Sequence, residues 1–307
     1  DAVTLQPAGE DAVVCTALAG QRSFSRTIPV PPASEFPDLP GLPDEMTPCD
    51  VGAFLRAYRG AAFAASDEPS RPALNGVFAH AEESALVATD GRRLTRRALA
   101  SFPFPGDAIL PSNRMLLRQF PETDTGRIGL VQHEDDCQSF ALATEDLSYV
   151  CRCVDALYPN YRHVIPDAMG QGAEVSFGPG DLETVESVVP FLDKADKHAL
   201  FLLGKEDGTV LLGIEGKEGG DPAVLPLSGC RCRNAANLIL PLDGLQLVEA
   251  MKNGFLDLRP NPHGGPVVFR TGERDLHLLM PLRGDASDAL LAIAGVERPE
   301  EASAPSG

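Results

Sequence analysis

The chain has 307 residues and a formal net charge of −18, with 44 Asp and Glu against 26 Lys and Arg. That length exceeds what one ordinary core fills, which predicts two domains or more. The acidic balance excludes a surface coated in phosphate-neutralising cations, leaving only a local basic patch for any anionic partner. No apolar run approaches the roughly 18 residues that span a bilayer, and no charged-then-apolar leader precedes the first strand-like segment, so a cytoplasmic location is expected. The sequence opens on Asp1 in mid-pattern, which predicts that residues before it are missing.

In chain order, "SFSRTIPVPPASEFPDLP" from Ser23 is a strand followed by a Pro-rich join. Thr47-Pro48-Cys49-Asp50 reads as an N-cap, a Pro at the first helical position and a carboxylate in the first turn, predicting a helix to about Ala65. Hairpin strands follow. Among them "ALVATDGRRLTRRAL", from Ala85, turns at Asp90-Gly91 and emerges with four arginines on an otherwise acidic chain. A second amphipathic helix is expected from Pro111 to about Phe120, followed by the strand "DLSYVCRCV" from Asp146 and the join "LYPNYRHVIP".

The pattern then repeats. "AILPSNRMLLRQF" from Ala108 matches "LILPLDGLQLVEAM" from Leu238 as a strand, a Pro in the first helical turn and an amphipathic helix. "ALVATDGRRL" matches "VLLGIEGKEG" from Val210, and "DLSYVCRCV" matches "DLHLLMPLR" from Asp275, each pair about 125 to 130 positions apart. These spacings predict the last third of one unit in residues 1–44, whole units in 45–167 and 168–284, and a tail in 285–307. In the tail "DALLAIAG" can form a short helix, whereas "VERPEEASAPSG" has the composition of disorder. Strand-rich units with two helices on one face predict an α+β fold with antiparallel sheets.

Seven cysteines are an odd number in a chain that needs no staples, so they are expected to be reduced. The triplets Cys151-Arg152-Cys153 and Cys230-Arg231-Cys232 can be read as four thiolates for zinc or as strand positions with two sulfurs inward and an Arg outward. The absence of Cys-x-x-Cys spacing favours the second reading, and no metal or cofactor is expected. An enzyme is the competing class. The sequence has no Gly-rich phosphate loop after a strand, no His-x-x-x-His pair, no Gly-x-Ser-x-Gly elbow and no Walker pattern, and the acidic group Glu134–Asp136 reads as loop charge, so no catalytic residue is assigned.

With its tandem units, "LNGVF", "ATDGRRL", "LYPNYRHVIP" and the closing "LMPLR", the chain resembles the bacterial sliding clamp, the beta subunit of the replicative DNA polymerase, from residue 1 to Arg283. The resemblance implies tandem clamp domains with two helices each on the inner face, about two-thirds of the first domain being absent. It also implies a head-to-tail homodimeric ring around duplex DNA, contacted without sequence specificity. Polymerases, the clamp loader and repair proteins would dock by short peptides in a groove comprising Leu74, Thr89, Gly91, Arg92, Arg93, Leu94, Pro159, His163, Val164, Leu278, Met280, Pro281, Leu282 and Arg283. Independently of the resemblance, Leu74, Leu94, Val164, Met280 and Leu282 suit an apolar pocket with Arg92, Arg93 and Arg283 at its rim, and equally suit ordinary hairpin and core positions.

The same resemblance places DNA contacts at Arg56, Arg59, Arg71, Arg114 and Arg118, and the ring contact at Phe24, Phe191 and Leu192, which also read as plain core residues. Against DNA encirclement stand the acids of the third unit's helices, Glu183, Glu186, Asp243 and Glu249, with Lys252 as the second helix's cation. The alternative is a clamp-like scaffold that binds partner peptides but encircles DNA poorly.

Overall fold

The computed structural model describes residues 2–32, 35, 41–112, 125–133, 137–166, 172–216, 220–234, 238–261 and 265–298. Backbone contacts divide the chain into Asp1–Leu42 and Pro43–Gly307. The first unit is an antiparallel meander of β1 (Ala2–Pro7), β2 (Ala12–Ala19) and β3 (Arg22–Pro29).

Within Pro43–Gly307 the sequence repeat becomes a topological one. Strands β4 (Thr47–Pro48), β9 (Arg127–Gln132), β10 (Gln138–Ala143) and β11 (Ser148–Arg152) form a sheet in the order β11-β10-β9-β4. Strands β5 (Gly76–His80), β6 (Ala85–Thr89), β7 (Arg93–Ala98) and β8 (Ala108–Pro111) run in the order β7-β6-β5-β8. The later part repeats both. Strands β12 (Glu174–Ser176), β18 (Asp257–Arg259), β19 (Val267–Thr271) and β20 (Asp275–Leu279) run β12-β18-β19-β20, with β16 (Arg231–Arg233) added beside β12. Strands β13 (Ala199–Gly204), β14 (Val210–Ile214), β15 (Ala223–Pro226) and β17 (Leu238–Asp243) run β15-β14-β13-β17. The copies are fused: β20 pairs with β7 to give one nine-stranded sheet, in the register Leu276↔Arg96, His277↔Thr95, Leu278↔Leu94 and Leu279↔Arg93.

Three prolines change role between sequence and structure. Thr47–Pro48 is not a helix start but pairs with Ile128 and Arg127. Asp50 is the cap, its carboxylate accepting from Ala53 N at 2.7 Å, so that helix α1 runs Val51–Ala62. Phe63 to Ala65 continue as a tighter turn, with Ala64 N and Ala65 N bonding three residues back. Pro111 and Pro241 likewise lie in β8 and β17 rather than in a helical turn. Strands β4, β8 and β17 are all sheet edges, where a missing N–H costs no ladder bond. The helix expected after Pro111 falls on residues 113–120, outside the described residues.

Helix α2 (Asp181–Val188) packs on α3 (Gly244–Lys252), whose first turn is capped by Asp243 through Leu245 N at 3.0 Å and Gln246 N at 3.2 Å. Helix α4 (Asp288–Ala294) forms within the stretch expected to be a tail. One core gathers Phe54, Leu55, Tyr58, Leu86, Phe140 and Leu142 around α1, and a second gathers Val185, Leu200, Leu202, Leu242, Leu247 and Phe255 around α2 and α3. The Cys-Arg-Cys triplets follow the apolar reading. Cys151 and Cys153 pack on the first core and Cys230 and Cys232 in the second, while Arg152 and Arg231 face solvent. Burial raises the thiol pKa of all four, the values for Cys153 and Cys230 reaching about 12, which keeps these sulfurs protonated.

Candidate functional site

The hairpin between β6 and β7 is built by short-range polar chemistry. Asp90 accepts from Arg92 N at 2.8 Å and Arg93 N at 3.0 Å, while Thr89 Oγ1 accepts from Gly91 N at 3.0 Å and donates to Arg93 O at 2.6 Å. Gly91 has φ of +89°, which is why this position needs glycine. The turn meets the end of the final strand directly, because Met280 N donates to Arg92 O at 2.8 Å. Leu94 and Leu278 are opposite one another in the ladder. The hairpin and the carboxyl-terminal strand are therefore one continuous surface.

The outward face at this join is apolar. Val87, Leu94, Ile109, Leu276 and Leu278 form a cluster with Tyr158 and Tyr161, and Ala73, Leu74, Phe78 and Ile165 pack against it. Tyr158 lies flat on Phe78 with ring centroids 4.6 Å apart. Tyr161 meets the Phe78 ring edge-on and hydrogen-bonds His80 Nδ1 at 2.7 Å. Beyond this floor, Val164 and Met280 are exposed at 52% and 44%, as are Pro159, His163, Gly91, Arg92 and Arg283, while Pro281 and Leu282 are half-buried. His163 Nε2 pairs with Asn160 Nδ2 at 2.9 Å. A cleft of about 850 Å³ continues past the turn, lined by Arg92, Phe191, Met280, Leu282 and Arg283 among others.

Strand alternation separates two residues that the sequence reading placed together. Leu94 points outward, whereas Arg93 points to the inward face and is not a rim residue. Its side chain is only 10% exposed. It ion-pairs with Asp90 at 3.0 Å and with Glu249 of α3, and lies 5.5 Å over the Phe63 ring. Arg97, on the same face, pairs with Asp275 at 3.0 Å, donates to the carbonyls of Gly60 and Asn253, and stacks 4.1 Å over Phe255. Between them Thr95 Oγ1 bonds His277 Nδ1 at 2.7 Å. Burial, reinforced by Arg93 and Arg97, lowers the His277 pKa to about 3 and keeps the ring neutral. Arg96 faces outward and pairs with Glu83 at 3.2 Å. Two of the four hairpin arginines, Arg93 and Arg97, thus hold the join together, while Arg96 pairs within its own repeat and Arg92 is exposed at the turn.

Tyr158 and Tyr161 were missed as parts of the floor. Their signal was present in "LYPNYRHVIP", where two aromatics three apart flank a Pro at a domain join, a spacing that brings both rings onto one surface.

The remaining candidates are scattered. Arg56 is exposed and Arg59 half-buried on α1, and Arg71 pairs with Glu68 at 3.2 Å. Arg114 and Arg118 lie outside the described residues, as does the acidic group Glu134–Asp136. Phe24 and Phe191 are both 68% exposed, while Leu192 is buried in the core around α2 and α3. The acids of α2 and α3 are largely engaged: Glu186 pairs with Lys252, Glu249 with Arg93, and Asp243 caps α3. Among the described residues no group of three or more His, Cys, Asp or Glu is placed to hold a metal ion, and no helix is long and apolar enough to cross a membrane.

No family model matches the sequence. The chain is 24% identical over 265 residues to the beta sliding clamp of Synechococcus elongatus, covering 82% of this chain and 69% of that protein. It is 27% identical over 223 residues to the beta sliding clamp of Caulobacter vibrioides, covering 66% of this chain and 55% of that protein. The crystal structure of the beta subunit of the Streptococcus pyogenes DNA polymerase aligns at a TM-score of 0.74 and 18% identity, over 92% of this chain and 76% of that one. The chain has the fold of the bacterial beta sliding clamp. The candidate groove lies where the β6–β7 hairpin meets β20, at the seam between the two repeats of Pro43–Gly307.

Proposed function

We propose that this chain is a DNA sliding clamp, a processivity factor that tethers DNA polymerases and other replication and repair proteins to duplex DNA by capturing their short peptides. The action is topological and adhesive and needs no catalytic residue. The β7–β20 ladder carries the reading, because it joins the Asp90 turn to Met280 beside a floor containing Leu74, Leu94 and Leu278. An apolar floor with polar residues at its edge suits a peptide with a few large apolar anchors. In this reading residues 1–44 are the end of a first clamp domain, 45–167 the second and 168–284 the third. Phe24 of one copy meets Phe191 of another in a head-to-tail dimer, and Arg56, Arg59, Arg71, Arg114 and Arg118 face DNA phosphates. The protein acts in the cytoplasm. Pairing of the acids of α2 and α3 with Lys252 and Arg93 reduces the repulsion that argued against encirclement.

The test has two arms. A labelled peptide with adjacent Leu and Phe should bind the full chain and lose most of its affinity when Met280→Ala and Leu94→Ala are combined; unchanged binding removes the groove. The protein should persist on nicked circular DNA and run off linear DNA, and equal loss from both favours a peptide-binding scaffold.

A further inference from the structure

The two repeats end in the same manoeuvre. After β11 the chain leaves the sheet, Val154 N donates to Ile109 O of β8 at 2.9 Å, and the following segment covers the outer face of β5 to β8 with Tyr158 and Tyr161. After β20, Leu282 N donates to Pro241 O of β17 at 2.9 Å, and the following segment covers the outer face of β13 to β15. In the second case the cover is α4, whose Leu290, Leu291 and Ala294 pack with Phe201, Leu203 and Leu211.

The seat for α4 is built into the sheet. A Cβ on Gly213 would come within 2.8 Å of Leu203 and 3.1 Å of Leu290, so the helix rests where the strand has no side chain. Ser287 caps α4 through Leu290 N at 3.1 Å, and its own N and Oγ donate to the two oxygens of Glu215 at 2.7 and 2.8 Å. Gly295, in the left-handed region with φ of +63°, closes the other end. The bridge from Met280 to Asp285 is consequently fixed at both ends, by Arg92 O at its start and by Glu215 just beyond it. That bridge carries Met280, Pro281, Leu282 and Arg283 of the candidate groove.

We propose that α4, held by Ser287, Glu215 and Leu290, is a clasp that pre-forms one wall of the peptide groove. These are positioning residues and touch no peptide; they act by holding the bridge between β20 and α4. A wall already ordered spares the peptide the cost of ordering it, which appears mainly as slower dissociation. The inference rests on the groove reading above.

The test uses the full chain, the Leu-Phe peptide probe and amide hydrogen exchange. Leu290→Ala and, as a milder variant, Ser287→Ala should each weaken peptide binding by roughly fivefold or more through faster dissociation. Exchange should rise across 281–291 while Leu94 and Leu278 stay protected in their ladder. Ser287→Thr, which keeps the capping oxygen, should restore the unaltered dissociation rate. Faster exchange across 281–291 with a dissociation rate within about twofold of the unaltered chain overturns the clasp. Failure of the unaltered chain to bind the probe removes the groove itself and the clasp with it.

Discussion

The two faces of the sheet at the β7–β20 join are made of different material. Outward, Leu94, Leu276 and Leu278 meet Val87, Tyr158 and Tyr161 in an apolar cluster. Inward, Arg93, Thr95 and Arg97 meet Glu249, His277 and Asp275, sandwiched among Phe63 and Phe255. The apolar face makes loose geometric demands on its neighbours because burial is non-directional. The inward face demands particular partners, since a buried donor without its acceptor carries its full desolvation cost. The inward face thus fixes how the repeats meet.

Three measurements sharpen this contrast. The largest effect is expected from Phe255→Ala, which empties a fully buried ring site and removes the surface under the Arg97 guanidinium; a loss of about 4 kcal/mol in urea unfolding is expected. A loss no greater than that of an exposed substitution would show that the inward face does not secure the join.

Next comes pH. His277 is neutral in the fold down to about 3, whereas the unfolded chain takes up that proton near 6.5. Its contribution is complete above 6.5 and is lost as pH falls from 6.5 towards 3, because there the unfolded state binds the extra proton. His277→Phe should flatten the dependence of the unfolding midpoint on pH across that window, and an unchanged slope would assign the acid sensitivity to other groups.

The smallest effect is expected from Arg162→Gln. Arg162 bonds Glu82 and Glu83, both at 2.6 Å, but lies in solvent that screens the pairs, so the thermal midpoint should stay within error. A clear drop would show that the outward face also relies on ion pairs.

Much of this architecture was legible in the sequence. The repeat was visible because equivalent strands reuse the same apolar runs, and the Asp90 turn because Asp-Gly followed by a second apolar run permits few alternatives. The prolines misled: Pro48, Pro111 and Pro241 fit a helix start as well as an edge strand, and only the neighbouring strands decide between them. Arg93 misled for a related reason. A cation next to a turn looks like a solvated rim, and its acceptor, Glu249, is 156 positions away.

The sequence by itself determined the Asp90 turn, the apolar strand runs and their recurrence, since turn chemistry and apolar period act over a few residues. The tertiary structure decided which face each side chain occupies at the join, which arginines are consumed there, and that the stretch after Arg283 folds back as a helix on its own sheet. Those outcomes depend on contacts between distant segments, where one residue of strand register exchanges inside for outside.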